Sequence, residues 1–273
     1  MKKIILAFDG VHFSEGAFEF ARRLNEQEPI LLTGIFLPQA ELANLWSYAD
    51  GIAGPFIPLI ESSESEIVQQ NIDRFEKLCQ RHGIDYRTHK DFYDFVIPEL
   101  RKESLYADLL ILGSEVFYEN MGTVVLNDYL REALHDVKCP VLLVPEKFDF
   151  PESIILAYDG SDESVMAIKQ FSCLFPALAS KKTQLVYAND DASEDFPDKI
   201  RIEELAARHY SDLTLFKLNI NPRKYFGDWV SEKKSAMLVS GSFGRSGLSQ
   251  LFRKSFVKDV IADHRLPVFI AHK

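Results

Sequence analysis

The sequence contains one seven-residue pattern twice, 150 positions apart. Ile4–Gly10 reads IILAFDG and Ile154–Gly160 reads IILAYDG, so six of the seven positions are identical. A short run that is apolar throughout is typical of a parallel strand buried on both faces, and the Asp-Gly pair after it is typical of a tight turn. Repetition at a fixed offset of about one domain length indicates duplication. The sequence therefore predicts two related domains, residues 1–146 and 152–273, called the first and second halves below.

The regular alternation of strand-like and helix-like segments predicts the type of sheet. Each half is expected to contain five strands joined by helices, and helical crossovers impose parallel pairing with helices on both faces. The fold class predicted is therefore α/β, with two tandem Rossmann-like domains, each built on a five-stranded parallel sheet. At the 150-residue offset Ser14 corresponds to Ser164, and we expect helices over Ser14–Asn25 and Ser164–Phe175. A last helix is expected over Ser255–His264.

Composition and charge exclude several classes of function. The net charge of -10 opposes nonspecific nucleic-acid binding, which needs basic surfaces. No uninterrupted apolar stretch approaches the ~18 residues of a membrane span, and the first strand follows Met1 too closely for a signal peptide. The three cysteines form no C-x-x-C pair, which favours buried, reduced thiols and a cytoplasmic location.

Two connecting segments bear on how the halves associate. The linker Glu146–Pro151 is short, so we expect the halves to pack on one another. The segment Pro38–Glu61 is long for a connection and contains Trp46, Tyr48 and Phe56. Its aromatic residues favour packing or a dimer contact over a ligand lid, so a homo-oligomer is one expectation.

A glycine-rich loop in the second half is the clearest candidate for a binding site. Gly241–Ser255 reads GSFGRSGLSQLFRKS and lies between a predicted buried strand and a predicted helix. Gly241 and Gly244 would let the backbone approach an anion closely, and a helix N-terminus near Ser255 would offer N–H groups. Asp159-Gly160 follows another strand, and ligands of open α/β sheets bind at the carboxyl ends of strands. On spacing alone, a tight turn with solvated basic residues remains the alternative.

These patterns together resemble the tandem universal stress proteins, over nearly all of both halves. The resemblance is carried by IILAFDG and IILAYDG, ADLLILGS at 107–114, CPVLLVP at 139–145 and the glycine loop. It implies adenine nucleotide alpha hydrolase-like domains with strand order 3-2-1-4-5. It also implies that the halves pair through their last strands as an intramolecular pseudo-dimer.

The resemblance also implies a ligand, ATP or another adenine nucleotide, with or without Mg²⁺. ATP-binding members of the family show G-x2-G-x9-G-[ST]; here Gly241, Gly244 and Ser255 match, and Lys254 replaces the third glycine. Lys254 either blocks the phosphate site or supplies a compensating charge. The cofactor-binding residues that the resemblance implies are Asp159, Gly160, Tyr187, Ala188, Gly241, Ser242, Gly244, Lys254 and Ser255.

The first half departs further from the family pattern. Gly113 and Ser114 are present, but Val116 replaces the second glycine and Asn127-Asp128 falls near the final pair. A carboxylate beside a phosphate is repulsive, so we expect no ATP in the first half.

The leading functional hypothesis is a stress-response regulator that binds an adenine nucleotide in its second half and acts on an unknown protein partner. The alternative is a nucleotide-free interaction or scaffold protein in which both loops are degenerate. No general base or second metal carboxylate accompanies Asp159, so at most a slow ATPase is expected. No P-loop, H-E-x-x-H or G-x-S-x-G motif occurs, and His82 and His89 lack the neighbours that a zinc site needs.

Overall fold

The computed structural model describes residues 1–38, 62–89, 96–117, 128–191, 193–241, 260–261 and 264–271. The segment Pro38–Glu61, expected to form a contact surface, lies outside the described residues except for Pro38.

The first half alternates strands and helices along its whole described length. Its elements are β1 (Lys2–Phe8), α1 (Glu15–Gln27), β2 (Ile30–Phe36), α2 (Ser62–His82), β3 (Asp85–His89), α3 (Val96–Ser104), β4 (Leu109–Gly113), α4 (Asp128–Asp136) and β5 (Val141–Val144).

The second half repeats the plan with one addition. Its elements are β6 (Ser153–Ala157), α5 (Asp162–Leu174), α6 (Pro176–Ala179), β7 (Lys182–Ala188), α7 (Lys199–His209), β8 (Asp212–Leu218), α8 (Pro222–Ser231), β9 (Ala236–Gly241) and β10 (Val268–Ala271).

The ten strands in the described part of the chain form a single sheet. Its order is β3-β2-β1-β4-β5-β10-β9-β6-β7-β8, so each half follows the order 3-2-1-4-5 that the family resemblance implies. Every neighbouring pair is parallel except β5 and β10, which pair antiparallel, with Leu142 opposite Phe269. The predicted α/β class with parallel sheets is confirmed, and the last strands of the two halves join them.

Helices cover both faces of this sheet and enclose two apolar cores. Ile4, Leu6 and Phe8 of β1 point into one core, while Ile5 and Ala7 point into the other. The first core includes residues of α1, α2, α5 and α7, and the second includes residues of α3, α4 and α8. Burial on both faces is why the repeated run is apolar at every position instead of alternating.

The start of α5 differs from the sequence prediction. Helix α5 begins at Asp162, and its N-cap is Ser161, whose hydroxyl accepts the N–H of Ser164 at 3.2 Å. In the first half, Ser14 is the N-cap of α1 and accepts the N–H of Ala17 at 3.2 Å. Counted from the aspartate to the N-cap, the turn after β6 is therefore three residues shorter than the turn after β1, and the 150-residue offset fails there.

Helix α5 ends at Leu174 with Phe175 as its C-cap, so the predicted end at Phe175 is confirmed within one residue. Pro176 then occupies the first position of α6, a helix that was not predicted, where a proline's missing N–H costs nothing. His264, the predicted end of the last helix, lies in a turn with a positive φ of 47°.

The cysteines divide by burial. Burial raises the pKa of the Cys79 thiol to about 12 and that of the Cys139 thiol to about 12, as expected of small apolar core residues. Cys173, in contrast, is exposed on α5, so the buried interpretation is wrong for this residue. Among the described residues, no helix is long and apolar enough to cross a membrane.

Candidate functional site

Three of the residues predicted to bind a ligand, Asp159, Gly160 and Gly241, lie at the carboxyl ends of β6 and β9. Asp159 follows β6 and is exposed, and its carboxylate accepts the backbone N–H of Ser161 at 3.0 Å and the Ser161 hydroxyl hydrogen at 2.5 Å. Ser161 is in turn the N-cap of α5. Asp159 therefore shapes the turn that starts the helix, as the sequence allowed, and its side chain remains accessible to solvent.

Gly160 holds this turn in a conformation that other residues rarely adopt. Its φ is +84°, and a Cβ atom at this position would lie 2.7 Å from Cβ of Pro197. Tyr158, the residue before Asp159, donates its hydroxyl hydrogen to the Pro197 carbonyl at 2.8 Å. Burial, and then the carboxylates of Asp198 and Asp159, raise the pKa of Tyr158. The turn is thus tied to the segment that precedes α7.

Gly241 places the start of the glycine loop against the amino end of α5. A Cβ atom at Gly241 would lie 2.5 Å from the carbonyl carbon of Glu163 and 2.6 Å from the backbone nitrogen of Ser164. Only a residue without a side chain permits this approach. The first turn of α5 and the end of β9 therefore adjoin one another, next to the turn containing Asp159. A helix N-terminus favours anions through its N–H groups and its dipole.

Tyr187 and Ala188 end β7, beside this turn in the sheet order. The Tyr187 ring is buried and lies 5.5 Å from the Phe196 ring, and its hydroxyl accepts an N–H from Asn189 at 2.8 Å. Its side chain is therefore used in packing, which leaves the backbone as the part that a base could contact.

The remaining predicted loop residues Ser242, Gly244, Lys254 and Ser255 lie outside the described residues.

The corresponding turn of the first half is filled by its own side chains. Asp9 is only 4% exposed, and its carboxylate accepts the backbone N–H of Val11 at 3.0 Å and that of His12 at 2.7 Å. The same carboxylate lies 2.7 Å from Nδ1 of His12. Where Asp159 is open to solvent, the Asp9 carboxylate is thus held by three contacts with two residues of its own turn, Val11 and His12.

Helix α2 closes this turn from the other side. Asn71 donates from Nδ2 to the carbonyls of Gly10 and Val11, both at 2.9 Å. The Phe13 ring stacks on Phe8 at 4.8 Å, and the Arg74 guanidinium lies 4.5 Å from the centre of the Phe13 ring. The three additional residues of the first-half turn therefore occupy space at the carboxyl end of β1.

A carboxylate from the linker covers the amino end of α1, a contact that the sequence reasoning missed. Glu146 accepts the hydroxyl hydrogen of Ser14 and the backbone N–H groups of Glu15 at 3.0 Å and Gly16 at 3.3 Å. The chain's own anion therefore occupies the position that a helix N-terminus offers to anions. The sequence shows only that the halves differ in charge at this point, because Glu146 lies two residues after β5 and Lys273, outside the described residues, lies two residues after β10.

Replacing Glu146 should measurably weaken the fold. We expect Glu146→Ala to lower the free energy of unfolding by about 1–2 kcal/mol, because it removes charged hydrogen bonds from the Ser14 cap and from two helix amides. Urea denaturation followed by circular dichroism measures the change. Lys147→Ala, at the exposed neighbouring position, is the control and should stay within about 0.5 kcal/mol of the wild type. Equal effects of the two substitutions would contradict a specific role of the carboxylate.

The start of the degenerate first-half loop contacts the second half. Ser114, just after β4, is buried, and its hydroxyl lies 3.0 Å from Nδ1 of His264.

Of the two histidines considered for zinc, the His82 ring lies 6.4 Å from the Phe18 ring, and Nδ1 of His89 lies 2.6 Å from a carboxylate oxygen of Glu103. Both therefore have structural contacts.

No protein-family model matches the sequence, and no curated protein matches it. Solved structures do match over the full chain. A universal stress protein from Archaeoglobus fulgidus DSM 4304 has a TM-score of 0.67 and 18% identity, with 100% of this chain and 96% of that chain covered. A functionally unknown protein from Pseudomonas aeruginosa PAO1 has a TM-score of 0.59 and 11% identity, with 100% and 92% covered. A candidate universal stress protein from Pseudomonas aeruginosa UCBPP-PA14 has a TM-score of 0.57 and 11% identity, with 100% and 93% covered. The chain therefore has the tandem fold of the universal stress proteins.

Proposed function

We propose that this protein is a cytoplasmic stress-response regulator that binds an adenine nucleotide, ATP or a close relative, in its second half. The two halves act as an intramolecular pseudo-dimer. A protein partner distinguishes the nucleotide-bound form of the protein from the nucleotide-free form. The phosphates contact the amides of the loop that begins at Gly241, and Asp159 lies near the ribose or a bound Mg²⁺.

The observation that carries this proposal is the close approach of Gly241 to the first turn of α5. It joins the glycine-rich loop to a helix N-terminus at the carboxyl ends of β6 and β9, where open α/β sheets bind ligands. The loop departs from the family pattern at Lys254, and we infer that this lysine compensates with its charge for the missing glycine.

The contrast between the halves supports placing the nucleotide in the second. In the first half, His12 and Phe13 fill the turn after β1, and the Glu146 carboxylate covers the amino end of α1. An additional phosphate there would meet a carboxylate that already holds the helix amides. In the second half the turn is shorter, Asp159 is exposed, and the position equivalent to Glu146 is Lys273.

The first test is the nucleotide content of the purified protein. Acid extraction followed by anion-exchange chromatography should release stoichiometric ATP or ADP. If the protein is purified without nucleotide, titration calorimetry with ATP, with and without Mg²⁺, should give one site per chain. Gly244→Trp should abolish binding by filling the loop. Val116→Phe changes the equivalent first-half position and should leave nucleotide binding unchanged. Lys254→Gly should lower the affinity for ATP if the lysine supplies charge.

An empty extract together with no thermal shift in millimolar Mg-ATP would reject nucleotide binding. The second candidate, a nucleotide-free interaction protein, would then stand, and the closed turn of the first half favours it. The partner would be sought first at the aromatic segment Pro38–Glu61.

A further inference from the structure

A cavity of about 220 Å³ lies between the two halves, at the amino end of β1. It is far along the strand direction from the turns described above, since its first-half walls come from the start of β1, the end of α1 and the start of β2. Its second-half wall is formed by the junction of α5 and α6. The lining residues are Lys2, Ile4, Leu24, Gln27, Glu28, Ile30, Leu174, Phe175, Pro176 and Ala177.

The second-half wall is an element that the first half lacks. Helix α1 is followed by only two residues before β2, whereas seven residues, including α6, separate α5 from β7. Phe175 is held rigidly, because its ring lies 5.4 Å from the Phe171 ring and 5.9 Å from the Phe269 ring. Pro176 starts α6 and has a restricted backbone. The cavity therefore has a preformed wall, which reduces the entropy cost of binding.

The walls and the mouth of the cavity differ in chemistry. Ile4, Leu24, Ile30 and Phe175 make the walls apolar, while the charged groups are Lys2 and Glu28, which form an ion pair. The Lys2 side chain is 19% exposed and the Glu28 side chain is 47% exposed. The lysine is thus the less accessible of the two, and the glutamate side chain borders solvent. A ligand carboxylate could take its place beside the ammonium group.

We propose that this cavity binds a small carboxylate with an apolar body about the size of a benzene ring. A dry apolar cavity of ~150 Å³ holds benzene, so about 220 Å³ accommodates a ring with one or two further carbon atoms. The ring lies against Ile4, Leu24 and Phe175, and the carboxylate pairs with Lys2. Because both halves contribute walls, such a ligand binds the two halves simultaneously.

Phenylacetate is the probe that tests this proposal, with titration calorimetry and saturation-transfer NMR on the full chain. Phenylacetate should bind saturably, and the neutral isostere phenylacetamide at least about tenfold more weakly, because it lacks the charge-assisted hydrogen bond to Lys2. Lys2→Gln should abolish the difference between the two compounds. Ala177→Phe should abolish binding of phenylacetate and phenylacetamide by filling the cavity. The control Lys181→Phe places the same ring at an exposed position outside the cavity, and this variant should bind both compounds as the wild type does.

Three results would overturn the proposal. The first is that phenylacetate does not bind saturably, and the second is that the wild type binds the acid and the amide equally. The third is that Ala177→Phe, with its fold verified by circular dichroism, binds phenylacetate as the wild type does. Displacement of phenylacetate by Mg-ATP would also overturn it, since it would place the probe in the proposed nucleotide site. The test does not depend on nucleotide binding, so the two proposals can fail separately.

Discussion

Phe269→Ala should lower the free energy of unfolding by about 3–5 kcal/mol, the range for removing a large buried aromatic side chain. Phe269 is 0% exposed and lies in β10, the strand that pairs with β5 of the first half and β9 of the second. Its ring packs edge-on against Phe171 at 5.3 Å and Phe175 at 5.9 Å. The substitution would leave a cavity at the junction of the halves. Urea unfolding followed by tryptophan fluorescence measures the loss.

Phe216→Ala is the matched control for this prediction. Phe216 is also a strand phenylalanine in the second half, but it is 38% exposed and its ring stacks on Trp229 at 5.9 Å. We expect it to cost about 1 kcal/mol, because less surface is lost and water can enter the space. Comparable losses for the two variants would contradict the central position of Phe269 in the core.

Gly241→Ala should reduce both stability and nucleotide binding. The added methyl group would overlap the backbone of Glu163 and Ser164, and backbone atoms cannot rotate away as a side chain can. Either the end of β9 or the first turn of α5 must shift, at a cost of about 1–3 kcal/mol. Since the shift moves the start of the glycine loop, ATP affinity should fall by at least about tenfold, which corresponds to ~1.4 kcal/mol. Denaturation and titration calorimetry measure the two effects.

Gly113→Ala is the control that separates the loss of stability from the loss of ATP binding expected for Gly241→Ala. In the first half, a Cβ atom at Gly113 would lie 2.5 Å from the Ser14 hydroxyl, so this variant should also lose stability. It lies in the half where no nucleotide is expected, and ATP binding should therefore be retained. Loss of ATP binding in both variants would mean that affinity follows overall stability and not the local geometry of Gly241.

Local patterns predicted the elements well wherever a single segment decides its own structure. The IILA runs became β1 and β6, and the helix predicted over Ser14–Asn25 became α1, with Ser14 as its N-cap. The failures lie where the two halves are not equivalent. Alignment at a fixed offset placed the start of the second helix at Ser164, but Ser161 is the cap because the turn after β6 is shorter. The end of α5 before Pro176 was predicted, but the additional helix α6 that begins at Pro176 was not, because a proline can either end a helix or begin one.

Of the candidate site, the sequence identified Asp159, Gly160 and Gly241, and it indicated the structural role of aspartate in the turns. It did not reveal that the first-half turn is closed while Asp159 is exposed, because Asn71, which binds the Gly10 and Val11 carbonyls, is about 60 residues away in sequence. The contact of Glu146 with Glu15 spans 131 residues, and nothing in either local pattern predicts it.

The sequence by itself determined the strands, most of the helices and the duplication, because apolar periodicity and capping residues act within one or two turns of the chain. Only the tertiary structure decided which turn is closed, where the Glu146 carboxylate binds and that a cavity lies between α1 and α6. Those features arise from contacts between segments far apart in sequence, and their geometry exists only once β5 and β10 have joined the halves in one sheet.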